Sequence, residues 1–93
     1  MSESEIEDLL RLSISKWGKN LQRILMVEEC SELVKVICKE IRAEKCDRLN
    51  KAVCEELADV KIMLKQMELI YSPELIKKFE AEKLLRLKER LEE

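Results

Sequence analysis

Residues that interrupt helices are almost absent from this chain. Gly18 is its only glycine and Pro73 its only proline. Most other positions hold residues with high helix propensity, above all Glu, Lys, Arg and Leu. We therefore expect an all-α fold, and the length of 93 residues indicates a single domain over 1–93.

Residues that start or end helices divide the chain into four predicted helices. Ser4 and Glu7 form a capping box that marks the start of the first helix, and Gly18 marks its end. Asn20 can cap a second helix, which we expect to run to about Arg42. The polar residues after it favour a turn.

The second half of the chain is divided in the same way. Asp47 can cap a third helix that runs to about Tyr71, and Ser72-Pro73-Glu74 is a strong start signal for a fourth helix that reaches the end of the chain. Because only a short turn separates the second and third helices, we expect them to pack antiparallel as the central pair of the fold.

Charge and hydropathy exclude two classes of partner. The net charge is −2, and Lys and Arg are interspersed with Glu and Asp, so we expect no binding of a nucleic acid polymer. The apolar runs are too short to span a membrane, and no signal peptide is recognisable. The sequence predicts a soluble, cytoplasmic protein.

Four cysteines, Cys30, Cys38, Cys46 and Cys54, occur without CxxC spacing in a chain that has no histidine. A structural zinc site is therefore poorly supported. Cys30 and Cys38 fall on one predicted helix, about 12 Å apart along its axis, which is too far for a disulfide. We expect free thiols, and a bridge from Cys46 to Cys38 or to Cys54 stays open.

Acidic side chains fall on two helix faces that are otherwise apolar. Residues three, four and seven positions apart share a helix face. On the second predicted helix, Glu29 stands in an apolar stripe and Glu32 lies at its edge; on the third, Glu56 and Asp59 repeat this arrangement. The apolar neighbours are Leu25, Met26, Leu33 and Val36 for Glu29, and Leu49, Ala52, Val53, Val60 and Met63 for Glu56.

Carboxylates placed among apolar side chains repel one another and are costly to bury. A bound cation removes that cost, and a ligand set of oxygens without histidine favours a hard divalent ion. We expect Mg²⁺, with Mn²⁺ as a substitute. Because Mg²⁺ readily shares its coordination shell with phosphate oxygens, the sequence points to a phosphorylated substrate.

Two motifs carry a resemblance to a known family. Glu28-Glu29-Cys30-Ser31-Glu32 matches EExxE, and Glu56-Leu57-Ala58-Asp59 matches ExxD. With Lys16-Trp17-Gly18 and Gln22 ahead of the first motif, they resemble the small, phage-type and prokaryotic MazG-like proteins, which are all-α nucleotide pyrophosphohydrolases. The resemblance covers about residues 17–71.

The resemblance implies a Mg²⁺-dependent enzyme that hydrolyses a nucleoside triphosphate to the monophosphate and pyrophosphate, in house-cleaning or in control of nucleotide pools. Glu29, Glu32, Glu56 and Asp59 would be the metal ligands, and Glu28 and Glu29 the catalytic carboxylates. The resemblance also implies a homodimer or homotetramer in which the central helix pair forms an intersubunit four-helix bundle.

Other functions stay open at this point. The dimeric dUTPases and the phosphoribosyl-ATP pyrophosphatases share the acidic motifs, but this chain is shorter than the former and has Val27 where the latter commonly carry glycine. EExxE strings also form solvated faces on helices rich in Glu and Lys, so a non-catalytic helical oligomerisation or interaction module is a further alternative. A di-iron carboxylate bundle would need histidines that the chain lacks.

Basic, aromatic and amide side chains are candidates for binding the substrate. Lys83 shares an apolar stripe of the last helix, which favours an inward-pointing ammonium group for the phosphates, and Arg86 and then Arg90 are the next candidates. Trp17 can stack on a nucleobase, although a single Trp near a helix end also suits a core. Gln22 is a candidate through the resemblance.

Overall fold

The computed structural model describes residues 1–43 and 47–93, which contain four α-helices and no strand. The helices are α1 (Glu3–Trp17), α2 (Lys19–Arg42), α3 (Asp47–Ile70) and α4 (Pro73–Leu91). The predicted all-α fold with four helices is therefore confirmed. None of the helices in these two ranges is long and apolar enough to cross a membrane.

The capping box of α1 lies two residues before the predicted one. The Ser2 hydroxyl accepts a hydrogen bond from the Glu5 N–H at 3.1 Å, and the Glu5 carboxylate accepts one from the Ser2 N–H at 3.4 Å. The prediction that used Ser4 and Glu7 was wrong because the segment contains two overlapping S-x-x-E patterns. The outer pattern prevails because it adds residues to the helix while still capping its first turn.

Gly18 is the whole connection between the first two helices. Its φ of 87° lies in the region that favours glycine, and its N–H donates to the Ile14 carbonyl at 2.7 Å, so the predicted stop is confirmed. The prediction that Asn20 caps the second helix was wrong. Gly18 is the N-cap residue and Lys19 is already helical, because the unusual φ redirects the chain within a single residue.

The later helix ends agree more closely with the sequence. The Ser72 hydroxyl accepts from the Leu75 N–H at 3.2 Å and Pro73 is the first residue of α4, which confirms the predicted start. Asp47 is the first helical residue of α3 rather than its cap, and its charge suits a helix N-terminus. The remainder of the predicted turn lies outside the described residues, and so does Cys46, for which a bridge to Cys38 or to Cys54 was left open.

Helices α2 and α3 form the central pair. They run antiparallel, since Arg23 near the start of α2 lies 5.9 Å from the ring of Tyr71 after the end of α3, while Lys39 near the end of α2 shares a groove with Ala52 near the start of α3. Their mutual contact is the most extensive in the described ranges, α1 packs on both helices, and α4 packs on the end of α3.

The core is small and partly polar. In the part of the chain that the structure describes, the buried apolar side chains are Leu10, Val60 and Met63. The side chains of Gln22 and Gln66 are only 2% and 4% exposed. The Gln66 Nε2 donates to the Ser13 hydroxyl at 2.6 Å, which in turn donates to the Leu10 carbonyl at 2.9 Å. A polar contact thus joins α1 to α3.

Many apolar side chains remain exposed on the central pair. Val27 and Val34 on α2 and Leu57 and Leu64 on α3 are all exposed and recur at a spacing of seven residues, and we call these four residues the outer face. Val27 precedes Glu29 by two positions, and Leu57 precedes Asp59 by two. At about 100° per residue, Val27 and Leu57 therefore point about 200° around their helices from Glu29 and Asp59, respectively.

Candidate metal centre

Three of the four predicted metal ligands come together between α2 and α3. Glu29, Glu56 and Asp59 each place one carboxylate oxygen so that the three atoms lie within 4.8 Å of one another. Glu29 and Glu56 are half-buried, and Asp59 is exposed. We call these three residues the carboxylate cluster.

The helices themselves hold the carboxylate cluster in place. Glu56 and Asp59 are three residues apart on α3 and so share one of its faces. Val60 and Met63, which continue along α3, are buried against the rest of the fold and fix the rotation of the helix about its axis. Glu29 reaches the same point from the antiparallel α2. The positions therefore depend on rigid secondary structure rather than on a loop.

Within the described part of the chain, no basic side chain forms an ion pair with the carboxylates of the cluster. Among residues 1–43 and 47–93, the ion pair found is between Arg11 and Glu7 at 3.6 Å, which is on α1. Within the same ranges, the Glu56 Oε2 is buried and has no hydrogen-bond partner. A buried carboxylate oxygen in this state is costly, and a bound cation would satisfy it.

The surroundings also alter the titration of Glu29. Its partial burial raises the pKa of Glu29 above the ordinary carboxyl range, and the adjacent carboxylates of Glu56 and Asp59 raise it further. Each of these causes disfavours the charged form. A divalent cation acts in the opposite direction, because it stabilises the ionised carboxylates together.

The donor set fits Mg²⁺ or Mn²⁺. All donors are oxygens, which suits a hard cation. Two oxygens on opposite sides of one Mg²⁺ are about 4.2 Å apart, because each Mg–O distance is about 2.1 Å. The spread of up to 4.8 Å in the carboxylate cluster therefore exceeds this limit by an amount that a small side-chain rotation can remove. Three protein oxygens leave positions in the shell for water or phosphate.

The two remaining acids of the first motif lie outside the cluster. Glu32 is exposed, one turn further along α2, where it lines a groove together with Glu56. Glu28 is also exposed. The roles assigned to these two residues, as a fourth metal ligand and as a catalytic group, stay predictions.

The groove beside the cluster contains two lysines that the sequence analysis did not assign to the site. It has a volume of about 180 Å³. We call it the lysine groove; its lining residues are Glu32, Lys35, Val36, Lys39, Ala52, Glu55 and Glu56. Lys35 and Lys39 follow Glu32 by three and seven residues on α2. This spacing, which places the two lysines on the same side of α2 as Glu32, is visible in the sequence. It indicates a groove only once the structure shows that Ala52 and Glu55 of α3 line the opposite side.

The predicted substrate-binding residues are dispersed. Lys83, Arg86 and Arg90 line a depression of about 290 Å³ together with Leu87, all on α4, whereas Glu56 lines the separate lysine groove. Trp17 is 55% exposed at the end of α1, with the Lys16 Nζ 5.2 Å from the centre of its ring. Gln22 is buried, two turns along α2 from Glu29. Substrate contacts by these residues stay predictions.

Comparisons with known proteins add no relative. No family model matches the chain, and no significant match is found among curated proteins or among solved structures. The functional argument therefore depends on the two acidic motifs and on the geometry of the carboxylate cluster.

Proposed function

We propose that this chain is a Mg²⁺-dependent nucleoside triphosphate pyrophosphohydrolase of the MazG-like type, which converts (d)NTP and water to (d)NMP and pyrophosphate. The observation that carries the proposal is the carboxylate cluster of Glu29, Glu56 and Asp59, whose oxygens lie within 4.8 Å of one another while the Glu56 Oε2 is buried without a partner. This arrangement is unfavourable for a purely structural site and suits a cation-binding one.

The reaction breaks one bond and forms one. Water attacks the α-phosphorus, the bond from that phosphorus to the oxygen bridging to the β-phosphate breaks, and pyrophosphate leaves. A bound Mg²⁺ supplies neutralisation of the phosphate charge and a lower pKa for a coordinated water. Glu29, Glu56 and Asp59 would hold the ion, and Glu32 would join them if its side chain turned toward the cluster.

The chain's own carboxylates would manage the proton. Glu29, which reaches the cluster from α2, would accept the proton from the attacking water. Glu28, the preceding residue, would orient the water from the exposed side of α2. Trp17 would contact the nucleoside, because it is exposed at the α1 end of the central pair, and Gln22 would do so only if its buried side chain became accessible.

A homodimer or homotetramer forms part of the same proposal. The outer face presents Val27, Val34, Leu57 and Leu64 to solvent, and the core beneath contains few fully buried apolar residues. Packing two outer faces against each other would produce an intersubunit four-helix bundle with apolar residues at heptad spacing. The same exposed side chains favour the second candidate function, a non-catalytic oligomerisation or interaction module.

Pyrophosphate release separates the two functions. The full chain is incubated with Mg²⁺ and a panel of NTPs and dNTPs that includes dUTP and phosphoribosyl-ATP, which distinguishes the related activities. We expect release of pyrophosphate that EDTA abolishes and that Glu56→Gln reduces at least a hundredfold. Glu68→Gln, an equivalent change at an exposed position of α3, serves as the matched control and should retain activity. No release from any substrate would favour the interaction module.

A further inference from the structure

We propose that the lysine groove binds the phosphate tail of the substrate, with the ammonium groups of Lys35 and Lys39 holding the two phosphates that leave as pyrophosphate. The inference deepens the proposed function and depends on it. It assigns phosphate binding to α2, in place of the basic residues of α4 that the sequence favoured.

The lysine groove and the carboxylate cluster adjoin each other at Glu56. This residue belongs to both, and its Oε2 is buried without a hydrogen-bond partner among the described residues. Phosphate oxygens bound to a metal ion at the cluster would therefore extend directly into the groove. Its volume of about 180 Å³ is small, which suits an inorganic group rather than a nucleoside.

The direction of the helix brings the lysines toward the cluster. Lys35 lies about 9 Å and Lys39 about 15 Å along the axis from Glu29, at 1.5 Å per residue. Side chains on an α-helix lean toward its N-terminus, so both lysines lean back toward the carboxylates. The flexible four-carbon stem then lets each ammonium group reach a phosphate lying between these positions.

The charges of the groove make anion binding conditional on the cation. Lys35 and Lys39 oppose three acids, Glu32, Glu55 and Glu56, so the groove alone does not attract a phosphate. In the described ranges neither lysine lies within 4 Å of a carboxylate, so both ammonium groups are free to bind. Once a divalent ion offsets the acids, the lysines provide the excess positive charge.

The inference also fixes the direction of the substrate. The phosphates would extend toward the end of α2 near Lys39, and the nucleoside would extend toward α1. Gln22 and Gln66 lie in that direction, each two turns from Glu29 and Asp59 respectively, because α2 and α3 run antiparallel. The substrate would thus lie along the central pair instead of across it.

Binding of inorganic pyrophosphate tests the inference without requiring turnover. Isothermal titration calorimetry in Mg²⁺ compares the unmodified chain, the double variant Lys35→Gln/Lys39→Gln, and the control Lys61→Gln/Lys78→Gln, which removes the same charge from exposed positions. We expect the first double variant to weaken pyrophosphate binding about tenfold, which corresponds to about 1.4 kcal/mol, and the control to change it less than about twofold. Without Mg²⁺, none of the three should bind pyrophosphate measurably.

Titration of Mn²⁺ alone, followed by electron paramagnetic resonance, keeps the two proposals distinguishable. The first double variant should bind Mn²⁺ at least as well as the unmodified chain, because it removes only positive charge. An unmodified chain that binds no Mn²⁺ would overturn both proposals. If Mn²⁺ binding were retained and both double variants bound pyrophosphate with equal affinity, only the proposed role of the lysine groove would be overturned. If Lys83→Gln/Arg86→Gln weakened pyrophosphate binding instead, the phosphates would be placed on α4.

Discussion

Replacing Gln66 by leucine should stabilise the protein although it removes a hydrogen bond. The Gln66 side chain is 4% exposed, and its Oε1 has no partner among the described residues. A buried polar atom left unpaired costs about 1–3 kcal/mol, whereas the bond from Nε2 to the Ser13 hydroxyl contributes about 1 kcal/mol net. Leucine has a similar shape and adds apolar burial, so we expect the free energy of unfolding to rise by about 1 kcal/mol.

The substitution creates no new unsatisfied donor. The Ser13 hydroxyl still donates to the Leu10 carbonyl at 2.9 Å after Gln66 is replaced. Thermal unfolding followed by circular dichroism measures the effect, because about 1 kcal/mol shifts the Tm of a domain of this size by about 4–8 °C. Ser13→Ala is the control: it should lower Tm in the unmodified chain and have little effect beside Gln66→Leu. A Tm lowered by Gln66→Leu would refute the reasoning, since it would mean that Oε1 is satisfied.

Three further predictions concern the site and the assembly. The folded protein binds a proton at Glu29 more tightly than the unfolded chain does. Without metal, the free energy of unfolding should therefore fall as the pH rises from the ordinary carboxyl range through the raised pKa of Glu29. Urea unfolding should show a smaller fall in Glu29→Gln and no fall in the presence of Mg²⁺. Met63→Ala should lower the free energy of unfolding by about 2–5 kcal/mol and weaken Mn²⁺ binding, because Met63 is buried one turn beyond Asp59. If the folded variant bound Mn²⁺ with unchanged affinity, the predicted link between Met63 and the carboxylate cluster would be wrong. The double variant Val34→Lys/Leu64→Lys should be monomeric, and the control Lys61→Gln should keep the assembly intact. Light scattering after size-exclusion chromatography measures the mass of each. An unchanged mass for the double variant would exclude the outer face as the interface.

Local chemistry explains which parts of the fold could be predicted from the sequence. Gly18 and the Ser72-Pro73 pair act through their own backbone preferences, so the helix ends that they determine were predicted correctly. Two overlapping S-x-x-E patterns at the first helix could not be ranked in this way, because both provide the same hydrogen bonds. The direction in which α4 leaves the pair also escaped prediction, because most of its apolar side chains stay exposed and none of its residues is buried.

The candidate site shows a similar division. Glu29 and Glu56 could be brought together by reasoning because each stands in an apolar stripe that faces the partner helix. Asp59 stands at the edge of its stripe, three residues from Glu56, and joins them. Glu32 stands at the edge of its stripe, where a small rotation of α2 decides whether the carboxylate faces the cluster or solvent, and periodicity does not resolve such a rotation. The lysine groove depends on which residues of α3 lie opposite Lys35 and Lys39, and this long-range register appears only in three dimensions.

Gly18 is a one-residue connection, because it is both the C-cap of α1 and the N-cap of α2. A rotation of about 10° at Gly18 would move the far end of α1, about 22 Å away, by about 4 Å, but would move Ser13 by only about 1 Å. The 310 Å³ cavity beneath the start of α1, lined in part by Ile6, Leu69 and Pro73, would change shape under such a rotation. The hydrogen bond from the Gln66 Nε2 to the Ser13 hydroxyl lies close to Gly18, so such a rotation would displace it less than the contacts at the start of α1.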